Sequence, residues 1–458
     1  MALTDHNAST VSFLTGLMAR LRTALAERSD SRLAQLAAGQ VFLVRVANAM
    51  IMLLSQVLLA RWMGAFEFGI YVYAWTMVLM VGCLSDMGLS SAARRFIPEY
   101  TGLNAPDKLR GFLSGSRWLA FAIATAIGAF GATAVYFSTP WLDSYLVVPL
   151  YLSCAIIPIY GLVQIQAGIS QSYDWPNLAL MPFYIIRTTA VMVLMGGLWL
   201  SGAATDAITA MIVSVIIVYL VTIGQAFVLE RRLKKKVAAG AKTYEVKTWL
   251  ATAMPIFVVE SFYLLLTYVD IIALEHLGSP EDVAVYYAGA RLLAIVSFVY
   301  FAIAGSVAHK FTEYHIAGDK TKLAAFFTQT IRWTFWPSLA VCVGILVLGK
   351  PLLSLFGPNY QAAYPLMFIL AIGMMARAAV GPAERLLNML GERKPCAAIY
   401  AGAFTINLVL CIVLIPRIGI EGAGVSTSSA LIVESILLYY VARKRLGLHV
   451  FIWGGAKA

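Results

Sequence analysis

Apolar residues run through this chain in long blocks rather than alternating with polar ones, and short polar or basic stretches separate the blocks. A bilayer core takes about 20 consecutive apolar residues per helix. The pattern therefore predicts spans near 38–60, 68–91, 112–137, 146–169, 176–200, 206–229, 249–274, 283–308, 325–348, 362–382, 396–416 and 420–442. Pro158, Pro182, Pro255 and Pro337 fall inside them and mark expected bends, tolerated where neighbouring helices re-satisfy the freed carbonyls. The fold class expected is all-α integral membrane, with about 12 transmembrane helices.

Composition agrees. The 458 residues are 60% hydrophobic and 12% charged, against about 25% charged in soluble domains, and the mean hydropathy is +0.80. A net charge of +11 would point to nucleic acid in a soluble protein. Here its placement matters more, because Lys and Arg concentrate in cytoplasmic loops. With both termini in the cytoplasm, 25 of the 34 Lys and Arg fall on the inner side, three (Arg61, Lys350, Arg417) outside and six within spans. That is the orientation expected of a multi-pass protein of the bacterial inner membrane, and no nucleic-acid partner is expected. The basic run Arg231–Lys236 reads as a topology determinant or a lipid-headgroup contact. Residues 1–36 lack the apolar core of a signal peptide. Val11, Leu14, Leu17, Met18, Leu21 and Leu25 instead give them one apolar helical face, either an interfacial helix or a cytoplasmic tail.

An internal repeat adds the second organising fact. LLARWMGAFEFGIYVYAW at 58–75 lies over IIALEHLGSPEDVAVYYAG at 271–289 with a shift of 214, and RFIPEY at 95–100 follows with KFTEY at 310–314. Gly64 then meets Gly278, Tyr73 meets Tyr287, and Arg117–Trp118 meet Arg332–Trp333 at a shift of 215. Two six-helix lobes in the same orientation are expected, related by a pseudo-two-fold axis along the membrane normal, with the site between them. The expected division is an N-terminal segment 1–36, an N-lobe 37–230, a basic linker 231–248, a C-lobe 249–442 and a cytoplasmic tail 443–458.

Six arginines lie within spans: Arg45, Arg117, Arg187, Arg291, Arg332 and Arg377. Each costs about 2.5–3.5 kcal/mol at bilayer depth on insertion scales unless it faces protein, water or a counter-charge. Arg117 and Arg332 are repeat mates beside tryptophans near helix starts and read as snorkelling anchors. Arg45, Asn48, Met52 and Ser55 share one helical face, as do Glu260, Tyr263, Thr267 and Asp270, and the two stripes coincide at the repeat shift. They are expected to line a cavity or to glue neighbouring helices. Arg45, Arg187, Arg291, Arg377, Asn48 and Tyr263 are the candidate binding residues. Asp86, Glu260, Asp270 and Glu434 are candidates for Na⁺ or proton coupling, or for ion pairs. Asp86 stands at the depth of Arg45, and Asp270 or Glu260 within reach of Arg291, whereas Glu434 has no evident partner. An arginine cluster suits a phosphate, because the guanidinium fork stays charged and offers several donors. The five cysteines and five histidines show no ligand spacing, so no metal, cofactor or catalytic site is expected.

The runs LLARWMGAFEFGIYVYAW and DMGLSSAARRFIPEY, with LLNMLGERKP at 386–395 and GIEGAGVSTS at 419–428, resemble the polysaccharide transport family of the multidrug/oligosaccharidyl-lipid/polysaccharide (MOP) flippase superfamily. The resemblance implies a fold of two six-helix lobes like that of the multidrug (MATE) branch. It also implies translocation of undecaprenyl-diphosphate-linked oligosaccharide repeat units, for surface or exopolysaccharide biosynthesis. Basic cavity linings in that superfamily support Arg45, Arg187, Arg291 and Arg377 as the binding set. Membrane lipids, a polysaccharide polymerase and assembly proteins are the further partners expected.

Two other readings stand beside this one. A cation-coupled multidrug exporter of the same superfamily would need a cavity dominated by acids, whereas six arginines face four acids here. A polysaccharide polymerase or ligase would need a sizeable outer loop, and the loops at 138–145 and 201–205 are short. No G-x-x-x-x-G-K-[S/T] loop for ATP occurs. The chain is therefore expected not to be an enzyme.

Overall fold

The computed structural model describes residues 30–300, 320–390 and 392–453, together with Ile303, Val307, Phe311 and Tyr314. Side chains are described from Ala49 onward, except those of Lys320, Met389 and Arg393. The expected amphipathic face at 11–25 lies outside the described residues, and so do the side chains of the candidates Arg45 and Asn48, whose backbone belongs to the first helix. Residues up to Met50 form one unit and those from Ile51 a second, and the packing that follows is internal to the second.

The helices are α1 (Asp30–Leu84), α2 (Leu89–Gly102), α3 (Pro106–Ser138), α4 (Ser144–Ser172), α5 (Pro176–Leu180), α6 (Arg187–Leu200) and α7 (Ala207–Lys236). The second half follows as α8 (Val246–Leu277), α9 (Pro280–Leu293), α10 (Lys320–Val347), α11 (Gly349–Ser354), α12 (Tyr364–Val380), α13 (Ala383–Met389) and α14 (Arg393–Leu446). Among the described residues, ten runs are long and apolar enough to cross a membrane. Two of them, Ala49–Gly102 and Lys394–Leu446, have 54 and 53 residues. At 1.5 Å per residue each would extend about 80 Å, far beyond the ~30 Å core, so each must turn back. They do so at Gly64 (φ 80°) and at Ile418–Gly419 (φ 58° at the glycine). A side chain at such a φ is strained, and glycine removes that penalty. Ten runs thus hold the twelve expected crossings.

The repeat is visible in the elements themselves. The break at Gly64 recurs 214 residues later at Gly278, which ends α8. The runs Ser144–Ser172 and Pro358–Val380 likewise begin 214 residues apart. The second span of each half is interrupted, at 85–88 in the first and at 294–295 in the second.

The two halves meet at both ends. At the far end, Gly69 lies so close to α9 that a Cβ placed on it would stand 1.8 Å from the Pro280 carbonyl oxygen. Phe68 packs edge-on against Tyr287 and Tyr360, Tyr73 O–H lies 3.4 Å from His276 Nε2, and the Arg61 guanidinium donates to the Leu355 and Ser354 carbonyls.

At the opposite end the linker packs against α3. Arg110 donates to the carbonyls of Ala238 and Ala241, and Thr243 N–H donates to the Asp107 carbonyl. Lys108 at 2.8 Å, together with the Tyr100 hydroxyl, holds the Glu245 carboxyl below the usual range. Trp249 and Ala253 are fully buried among Phe96, Phe112 and Leu229. The first turns of α8 therefore pack within the core of the first half. The basic run Arg231–Lys236 ends α7 rather than forming a loop, with Lys234, Lys235 and Lys236 in the last turn, where cations favour the helix dipole. After α14 the chain folds back, burying Leu448, Val450 and Ile452 and bonding Ile452 N–H to the Ala379 carbonyl, so residues 448–452 are packed rather than a free tail.

Gly69→Ala should pry the far-end closure apart while the chain still inserts. A cysteine pair replacing Phe68 and Tyr360 should cross-link readily in the native background and several-fold less once Gly69→Ala is added. Equal cross-linking in the two backgrounds would contradict the close approach.

Candidate functional site

A cavity of about 290 Å³ opens between the halves on the linker side. Its wall comes from α2 (Ser90, Ser91, Arg94), α4 (Gln164, Gln171), the turn around Phe183 and Tyr184, and α8 (Glu260, Tyr263). Local packing sets this wall. Gly168 lets α2 press onto α4, since a Cβ there would meet the Ser90 carbonyl oxygen at 2.4 Å. That approach places Arg94 Nη1 3.2 Å from Gln171 Oε1, and Arg94 Nη2 bonds Ser91 Oγ at 2.8 Å. Ser91 Oγ in turn donates to Glu260 Oε1 at 2.8 Å.

Deeper lies Arg187, at the middle of the run Pro176–Leu200. It follows a π-helical turn, Met181–Ile186, whose extra residue swings Arg187 inward, as such turns often do at functional sites. Its Nε donates to the Phe183 carbonyl and its Nη2 to Thr188 Oγ1, each at 3.2 Å. Its guanidinium carbon lies 4.3 Å from the Trp75 ring and 4.7 Å from the Phe183 ring. The hydroxyls of Tyr71, Tyr160, Tyr184 and Tyr287 stand near it, and it forms no ion pair among the described residues. Two ring faces offset part of the desolvation of a buried cation. Arg291, from the second half, lies 5.7 Å from the Tyr287 ring and its Nη2 touches Met52 Sδ, a weak acceptor. Tyr287 is thus near both arginines, one from each half, and neither forms an ion pair among the described residues.

The remaining candidates are distributed differently from expectation. Arg377 is not an unpaired cation: its Nη2 lies 3.5 Å from Glu434 Oε1, and Glu434 is fully buried. Glu434, expected to lack a partner, therefore has one, because α12 and α14 pack side by side. Tyr263 lies between the cavity and this pair, 5.8 Å from the Arg377 guanidinium and 5.6 Å from the Tyr400 ring. Asp86 accepts from the N–H groups of Gly88 and Ser90 and so fixes the start of α2. Asp270 turns away from Arg291 and accepts from Tyr286 O–H, Thr427 Oγ1 and Ile271 N–H inside the second half. The stripe on α8 is thus split, with Glu260 and Tyr263 toward the cavity and Asp270 buried behind them. Arg117, expected to snorkel, bonds Glu230 at 3.0 Å, while Arg332 is exposed.

Arg94, Ser91, Gln164, Gln171 and Tyr287 were not among the expected site residues. Arg94 falls in a segment that the charge count assigns to a loop. Its spacing from Ser91 (i, i+3), and that of Gln164 from Gln171 (i, i+7), would each have marked one helical face.

A family model for "Polysaccharide biosynthesis protein" matches residues 38–309, more than half of the chain. The chain belongs to that family. A second family, MatE, matches residues 255–413. A Shigella flexneri protein named "Putative O-antigen transporter" is 22% identical over 84% of this chain and 91% of its own length. Among solved structures, the inward-facing conformation of a multidrug resistance MATE family transporter of the MOP superfamily superposes with a TM-score of 0.70 at 13% identity, covering 89% of this chain and 98% of that one. The lipid II flippase MurJ in an inward closed conformation gives 0.68 at 15% identity, covering 88% and 87%. This family member therefore has the all-α MOP fold, spans the membrane many times, and shares that fold with both multidrug and lipid transporters.

Arg377→Ala should leave Glu434 buried and unpaired, a change that costs about 3–5 kcal/mol for a buried pair. The melting temperature in detergent should fall by several degrees for Arg377→Ala and recover largely in the Arg377→Met/Glu434→Met double variant. Equal losses in the single and double variants would show that the pair is not the source of the effect.

Proposed function

We propose that this protein flips a lipid-linked oligosaccharide, carried on undecaprenyl diphosphate, from the cytoplasmic to the outer leaflet of the inner membrane for surface or exopolysaccharide synthesis. The observation that carries the reading is that Arg187 and Arg291, one from each half, both lie near Tyr287 and neither forms an ion pair among the described residues. A diphosphate can accept from two guanidinium forks at once. An anion bridging the halves would gain most where both arginines face one space, so its binding favours their approach. The family assignment and the relative named for O-antigen transport support the same substrate class.

The linker end is cytoplasmic in this reading, as the placement of Lys and Arg requires. The cavity then opens toward the leaflet where the lipid-linked unit is made, and the closure at Gly69 and Pro280 seals the outer side. Translocation follows when the seal moves from one end to the other. Asp270, buried with three donors and no cation among its hydrogen-bond partners, is the acid best placed to take up a coupling Na⁺ or proton.

Deleting the gene should leave undecaprenyl-linked repeat units accumulated at the cytoplasmic face and remove the polymer from the cell surface. Arg187→Gln and Arg291→Gln should each reduce export tenfold or more while the protein still inserts. Normal polymer with altered tolerance to cationic drugs would replace this reading with a multidrug exporter.

A further inference from the structure

The cavity mouth carries a second polar device, separate from the Arg187–Arg291 pair. Arg94 of α2 reaches Glu260 of α8 only through Ser91: Arg94 Nη2 to Ser91 Oγ at 2.8 Å, then Ser91 Oγ to Glu260 Oε1 at 2.8 Å. A serine hydroxyl has one proton, and a carboxylate can only accept. Ser91 therefore accepts from Arg94 and donates to Glu260, which fixes the direction of the chain. Gln171 from α4 receives a second N–H of Arg94 at 3.2 Å. Among the described residues Glu260 is the sole carboxylate in the wall of this cavity, and it belongs to the opposite half.

We propose that Arg94, Ser91 and Gln171 form the entry site for the diphosphate of the substrate, and that Glu260 is a built-in stand-in for that diphosphate, released when the ligand arrives. This rests on the flippase reading above. The physical basis is a difference in acceptor strength. A monovalent carboxylate reached through a hydroxyl makes no direct contact with the guanidinium, whereas a phosphate can take two parallel N–H bonds and carries more charge. Arg94 is exposed and Glu260 partly exposed at the cavity mouth, so the carboxylate released by the exchange is left in contact with solvent. When the ligand takes the donors of Arg94 and Ser91, the polar link from α2 to the part of α8 beyond its buried first turns is lost. Occupancy of the mouth is thereby coupled to freedom of one half relative to the other.

This arrangement has a signature that a merely structural polar network lacks. Removing the charge of Glu260 removes the competitor, so Glu260→Gln should bind a diphosphate more tightly yet transport less. Removing Arg94 should weaken both binding and transport. The test uses the full chain in lipid nanodiscs titrated with farnesyl diphosphate, with farnesol as the control for the isoprenoid tail. The expected result is saturable binding, weakened about tenfold by Arg94→Gln, a loss typical of one charge-assisted hydrogen-bonding group. Glu260→Gln should tighten it several-fold, and farnesol should show neither change. Native-like affinity in both variants, or no saturable binding by the native protein, overturns the site whatever cells show. The expected pattern together with a deletion strain that accumulates no lipid-linked units would uphold the site and count against the flippase reading alone.

Discussion

A charge held inside a membrane protein has to be compensated, and the way each charge is compensated divides this chain into scaffold and site. Glu434 is met by Arg377, Asp86 by backbone N–H groups at the start of α2, and Asp270 by two hydroxyls and an amide. Each of these partners belongs to the same half as the acid it meets. Arg187 and Arg291 are compensated by ring faces, a carbonyl, a hydroxyl and a thioether, none of them charged. These two cations have no ion-pair partner among the described residues, and the proposed binding of an anion between the halves rests on them.

The halves can present that centre because the repeat places equivalent helices on either side of it. The breaks at Gly64 and Gly278 end the first helix of each half at the same face of the bundle, and the close approach of Gly69 to Pro280 seals that face. At the other end α2 and α8 are joined through Ser91 and Glu260, and the space beside that link is the cavity. The first turns of α8 are buried in the core of the first half through Trp249 and Ala253. Relative motion of the halves therefore has to be absorbed beyond Ala253, where Pro255 already lacks the amide that would tie the helix to its preceding turn.

Much of this was legible in the sequence. Apolar block length marks the spans and the 214-residue shift marks the repeat, and of the stripe Glu260, Tyr263, Thr267 and Asp270 the first two line the cavity while Asp270 is buried. Pairings across the fold were not legible. Arg377 and Glu434 lie on helices α12 and α14 and meet only through tertiary packing, so neither carries a local sign of its partner. The role of Asp86 was local, with Gly88 and Ser90 close behind it, but was obscured because the segment also reads as the end of a span. Arg94 was misread for the opposite reason. α2 continues the second span well past its apolar part, so a basic residue that looks like loop charge stands on a helix facing the cavity.

The central claim is that the uncompensated arginines carry a lipid-linked diphosphate across the bilayer. It is tested most directly with purified protein in proteoliposomes containing a fluorescent undecaprenyl-diphosphate oligosaccharide, by measuring the rate at which label becomes accessible to a membrane-impermeant quencher. The native protein should speed the exchange well above protein-free vesicles, and Arg187→Gln and Arg291→Gln should return it to near that background. Exchange at the native rate in both variants would contradict the account.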